Sequence, residues 1–183
     1  MKRFRQDPRY LVLSRLYLRK ALLYGAACLL LGVLQTTVLA PLAPLGVTPD
    51  LMLAFVVAIG FWDGERIGGV TGIAAGFLID ALGSTGISLM PLCYLFIGYV
   101  SGLCAGKIFS KNFPSYMIYA MTASLVRGAV TLIHLGLVVD QLNAPGQVIL
   151  LFLCEFAACS LFAVPVYGIA KGLRTLSERT RRP

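Results

Sequence analysis

This chain predicts an all-α integral membrane protein, a compact bundle of six transmembrane helices, and two patterns predict it. Hydrophobic residues make up 58% of the 183 residues and charged ones only 13%, too little polar surface to cover a soluble core. Fifteen of the 16 lysines and arginines lie at the two ends and in or at the edge of every second gap between apolar segments. Basic residues resist translocation, so this alternation predicts an even number of crossings with both termini in the cytoplasm. The exception, Arg127, lies in mid-segment and is the most costly residue to place in lipid.

Residues 1–20 form a basic cytoplasmic segment, carrying Lys2, Arg3, Arg5, Arg9, Arg15, Arg19 and Lys20. The apolar run 21–40 follows. A secretory signal has an apolar core of only about 7–15 residues. This run is longer and closes on no small-x-small cleavage site, so it is expected to stay as the first helix. Spans 47–62 and 67–83 are short for a hydrocarbon core of about 30 Å. A re-entrant hairpin would explain that, but it would carry Asp63, Glu65 and Arg66 toward the bilayer centre. Each charge there costs about 2.5–3.5 kcal/mol, which favours two short crossings with local thinning or cover from neighbouring helices.

Spans 88–109, 114–139 and 147–170 complete the membrane domain of 21–170, and 171–183 is a basic cytoplasmic tail. The gaps 41–46, 84–87 and 140–146 hold no lysine or arginine, whereas Arg66, Lys107 and Lys111 mark the inner ones. Short loops make successive helices antiparallel neighbours. The net charge of +8 flanks apolar helices and forms no basic face on a soluble surface, which excludes a nucleic-acid-binding protein.

Span three carries Gly68, Gly72, Gly76 and Asp80 at four-residue steps, one stripe of a helix. Span four repeats the device with Gly98, Gly102 and Gly106. Small residues allow close approach of helices in lipid, so these faces are expected to pack inside the bundle or to receive a partner helix. Two nucleotide-site resemblances fail. Between Gly102 and Gly106 stand three residues where a phosphate loop needs four, and Ile108 replaces the Ser or Thr that follows its lysine. The Gly68–Gly72 run lacks the preceding strand of a dinucleotide fingerprint. Five cysteines and one histidine form no CxxC or His–Cys cluster, so no cofactor or metal is expected, and the cysteines are read as small packing residues.

On span five, Ser124, Arg127, Thr131 and His134 make one polar stripe on an apolar helix. Arg127 lies about 13 residues, or roughly 20 Å, from either end, too deep to snorkel, and should face the bundle interior. Glu155 in span six lies near His134 in depth and within reach of the long arginine side chain, and Asp80 is the second candidate acid. A buried cluster of Arg127, His134, Glu155 and Asp80 is therefore expected. A charge pair that pins the helices is its simplest reading. A head-group or ligand pocket ranks second, and a proton relay third, because relays usually come with broken helices. Pro165 should kink span six near its inner end. Tyr17, Tyr24, Trp62, Tyr94, Tyr116 and Tyr167, near helix ends, read as interface anchors.

One ordered set of residues adds a resemblance. Leu34-Gln35-Thr36 is followed by Pro41, Gly46 and Pro49-Asp50-Leu51, then by Gly64 and the run Gly72, Gly76, Asp80. Gly86, Tyr94 and the block Gly98-Tyr99-x2-Gly102 come next, with Pro165 before a basic end. In order, spacing and length this pattern resembles the MreD family of bacterial rod-shape-determining membrane proteins, over about residues 30–170 and most closely over 46–102. Arg127 and Glu155 stand outside the pattern.

The resemblance implies a six-helix fold like the substrate-binding S-component of energy-coupling-factor transporters, in the bacterial cytoplasmic membrane. It implies a non-enzymatic scaffold of the cell-elongation machinery. The implied partners are an MreC-type membrane protein, an MreB-type actin filament, and a SEDS glycosyltransferase with its penicillin-binding transpeptidase. Two rivals remain open. One is a small-molecule-binding subunit of an energy-coupling-factor transporter, for which Ala21 to Gly25 is a weak match to the Ala-x3-Ala docking motif. The other is a lipid or polyprenyl-phosphate carrier built on the Arg127 pocket.

Overall fold

The computed structural model describes residues 8–39, 48–82, 89–105, 111–138 and 145–179, and side chains over 18–39, 48–82, 89–105, 111–133 and 152–177. Every regular element among them is a helix. They are α1 (Pro8–Leu34), continued by a π-helical turn at Gln35–Leu39, α2 (Leu51–Asp63), α3 (Glu65–Leu82), α4 (Met90–Cys104), α5 (Phe113–Val138) and α6 (Pro145–Arg179). Three of them hold segments long and apolar enough to cross a membrane, Leu18–Leu39, Phe113–Ile133 and Phe152–Ser177.

The six helices follow the six apolar runs, but their ends differ from those runs. α1 begins at Pro8, inside the basic segment, and α6 continues to Arg179, inside the basic tail. Leucine, arginine and lysine are good helix formers, so nothing halts the helix where the apolar pattern stops. α6 keeps Pro165 within its length and is helical on both sides of it. Two spans are shorter than their apolar runs: α2 begins at Leu51 rather than at 47, and α4 ends at Cys104 rather than at 109.

α2 is the organising element. It has only 13 residues, about 20 Å of rise, and each residue from Leu51 to Phe61 is buried. A helix that is apolar on all sides belongs inside protein. Here α3, α4, α5, α6 and α1 all pack against it. Its sides therefore meet protein on every face. The large apolar side chains left outside lie on the surrounding helices, among them Leu22, Phe77, Phe96, Ile133 and Leu161, each at least 60% exposed. An apolar outer shell on this scale suits lipid rather than water.

The glycine stripes make the tightest contacts in the bundle. A Cβ built on Gly68 would collide with the Gly98 carbonyl and the Gly60 Cα, and one on Gly98 would collide with the Gly68 carbonyl. Gly72 lies against the Tyr94 backbone, Gly76 against Pro91, and Gly102 against Glu65. Gly60, Gly68 and Gly98 thus bring α2, α3 and α4 into backbone contact at one level. The faces of Gly68, Gly72, Gly76, Gly98 and Gly102 are filled from within, so a partner helix would have to dock elsewhere. Gly106 lies outside the described residues. Between α2 and α3 the chain turns on Gly64 alone, at φ 94°, a backbone conformation that side-chain-bearing residues rarely adopt.

Candidate functional site, a buried ion-pair node

The N-terminus of α2 opens in the bundle interior, where water cannot satisfy its free amides. A helix start leaves four N–H groups without intrahelical partners. The Gln35 side-chain oxygen, at the start of the π-helical turn, accepts from the Leu51 and Met52 amides at 3.1 and 3.4 Å. Asp50 Oδ1 accepts from the Leu53 amide at 3.0 Å, and the Asp50 carbonyl from the Ala54 amide at 3.4 Å. The positive end of the helix dipole also favours a carboxylate at this position.

The second Asp50 oxygen carries the charge pairing. Arg127 Nε stands 3.0 Å from Oδ2, at ion-pair distance though without hydrogen-bond alignment. Tyr94 donates its hydroxyl to the same oxygen, and Arg127 Nη1 pairs with Glu155 Oε1. The Asp50 amide donates to Cys159 Sγ at 3.2 Å. One point in the fold thereby ties α1 through Gln35, α2 through Asp50, α4 through Tyr94, α5 through Arg127, and α6 through Glu155 and Cys159. Asp50 and Tyr94 are fully enclosed, while Arg127 and Glu155 are partly so.

Several expectations need correcting at this point. The structure brings Arg127 and Glu155 together, but Asp80 does not join them. Asp80 makes no hydrogen bond or ion pair among the described residues, and its Oδ1 is buried without a partner. The reason is the packing: α3 lies mainly against α4, α2 and α1, whereas α5 lies mainly against α6 and α2. Asp50 takes the place foreseen for Asp80. The side chain of His134 lies outside the described residues. Tyr94, Tyr116 and Tyr24 are buried rather than interfacial. The Tyr116 hydroxyl reaches the carbonyls of Ala54 at 3.1 Å and Ala163 at 3.2 Å, joining α2, α5 and α6. Cys159 packs as expected and also accepts a hydrogen bond. Of the remaining family-pattern positions, Pro49 is buried beside Asp50, and Tyr99 is exposed on α4.

The opposite end of α2 collects cations. Lys20 pairs with Asp63 at 2.8 Å, Tyr24 donates to the same carboxylate, and Lys111 Nζ donates to the Trp62 carbonyl at 3.2 Å. The Arg174 guanidinium lies over the Trp62 ring, 5.0 Å from its centre. Positive charge at a helix C-terminus is favourable. Residues from α1, from the segment before α5 and from α6 thus meet at one end of the bundle, about 20 Å of helix from Asp50.

As chemistry, the node holds a cation between two acids, of which Asp50 also accepts from the Tyr94 hydroxyl and the Leu53 amide. Among the described residues no group of three or more His, Cys, Asp or Glu side chains is placed to hold a metal ion. Cavities open elsewhere, one of about 410 Å³ between α1 and α3 and one of about 360 Å³ between α4 and α5. Neither has Asp50, Arg127 or Glu155 in its wall. Comparison with protein-family models, with curated proteins and with solved structures gives no significant match to this chain.

Proposed function

We propose that the chain is a non-enzymatic six-span scaffold of the bacterial cell-elongation complex, in the cytoplasmic membrane with both termini inside. It binds an MreC-type membrane protein and links MreB-type filaments to peptidoglycan synthesis by a SEDS glycosyltransferase and a penicillin-binding transpeptidase. Its fold is of the S-component type, and its role is the one that the MreD-like residue pattern implies. The observation that carries the reading is the closure of Arg127 on two acids from neighbouring helices. Arg127 pairs with Asp50 and Glu155 and so joins helices, which is what a rigid docking body requires. Two sequence features add support: the one-sided cations and the short external gaps.

The test is affinity purification of the tagged chain from a rod-shaped host. It should carry with it a single-pass membrane protein with a periplasmic coiled coil, and depletion should produce rounded cells. Recovery of an ATPase pair instead, with cell width unchanged, would overturn the reading.

A small-molecule-binding subunit is the second reading, favoured by the apolar cavity between α4 and α5, lined by Leu92, Cys93, Phe96, Val126 and neighbours. Tight binding of a vitamin by the purified protein would select it.

A further inference from the structure

The cleft between α1 and α3 has two walls with the same spacing. On α1 it is lined by Lys20, Ala21, Tyr24, Gly25 and Cys28, and on α3 by Arg66, Ile67, Val70, Thr71 and Ala74. Each wall begins with a cation and ends on a small residue eight positions later, a rise of about 12 Å. That approaches the depth of one leaflet, half of a core of about 30 Å. Both cations stand at the same end of the cleft, and below them the walls are almost wholly apolar. The space is real on the α1 side, because a Cβ added to Gly25 would meet nothing within 4 Å. Arg66 is exposed and makes no ion pair or hydrogen bond among the described residues, while Lys20 is shared with Asp63.

We propose that this cleft binds one anionic phospholipid, its phosphate between Arg66 and Lys20 and an acyl chain along Gly25, Cys28, Val70 and Ala74. A cationic mouth over an apolar slot of leaflet depth is complementary to a molecule with a charged head and a hydrocarbon tail. A soluble phosphate would leave the slot empty. An apolar partner helix would find the unpaired Arg66 at the mouth with nothing to neutralise it. The site is independent of the ion-pair node and of the scaffold reading. Which leaflet supplies the lipid depends on the proposed orientation, so binding in detergent tests the cleft by itself.

The experiment is native mass spectrometry of the full chain in detergent, offered phosphatidylglycerol or phosphatidylethanolamine at equal concentration. The site predicts one retained phosphatidylglycerol, favoured about fivefold or more, the scale of one exposed charge contact of roughly 1 kcal/mol. Arg66→Gln removes the unpaired cation and should reduce retention by about that factor. Gly25→Leu fills the slot and should reduce retention of both lipids. Both substitutions lie on exposed positions, so thermal unfolding in detergent should stay near that of the unsubstituted chain. Lys171→Gln, an exposed cation on α6, is the control and should leave retention unchanged. Equal retention of the two lipids overturns the proposal. So does an unchanged signal in both cleft variants, or a loss in Lys171→Gln that matches the loss in Arg66→Gln.

Discussion

Removing the Tyr94 hydroxyl leaves the enclosed Asp50 carboxylate with one donor fewer. A hydrogen bond to a charged group inside the bundle contributes about 1–2 kcal/mol, so Tyr94→Phe should lower unfolding stability in detergent by that amount. Arg127→Leu is harsher, because it abandons Asp50 and Glu155 together. It should cost about 3–5 kcal/mol and sharply reduce the folded fraction on size exclusion. Adding Asp50→Asn should recover part of that loss, since asparagine also caps a helix and carries no charge to strand. Equal folded fractions for the single and the double variant would argue against the pair. Arg127 and Glu155 were legible from depth alone: two charges on facing apolar helices must find each other. Asp50 was not, because an acid opening an apolar run at a span's edge reads as a cap facing water. The signal that corrects this lies in the next eleven residues. Leu51–Phe61 offers no polar face, so the whole helix is enclosed, its cap included. Tyr94 was misread for a similar reason, since its place near the start of a short helix looked interfacial.

Glycine patterns are where elements declare how they meet. Gly98→Ala would set a methyl group into the Gly68 carbonyl, and helices in backbone contact cannot yield without separating. Overpacking of this kind costs about 1–3 kcal/mol, and the loss should appear as a lower unfolding temperature. Gly168→Ala on α6, where an added Cβ meets nothing within 4 Å, is the matched control. It should be neutral or stabilising by up to about 1 kcal/mol through helix propensity. If the two variants behave alike, the stripe is not the α3–α4 contact. The four-residue steps announced close approach, but not which face would be filled from inside, since small-residue stripes on internal and external faces look identical. Helix ends were the least legible part. α1 and α6 run on into their basic flanks because propensity continues where hydrophobicity ends.

At the scale of the molecule, a short central helix is capped by acid and glutamine at one end and ringed by cations at the other. Five longer or more exposed helices turn their apolar side chains outward around it. The sidedness of charge in the sequence reappears in space, with Lys20, Lys111 and Arg174 gathered around the C-terminal end of α2. In that arrangement the node holds the helices in register, and the proposed scaffold role leaves the outer faces for partners. The claim is tested by complementing depleted rod-shaped cells with the Asp50→Asn/Arg127→Leu/Glu155→Leu chain, expressed to the unsubstituted level in the membrane. If the node serves assembly alone, rod width should return once the protein accumulates. Cells that stay round at matched protein level would contradict the account and assign these charges to a ligand or a partner.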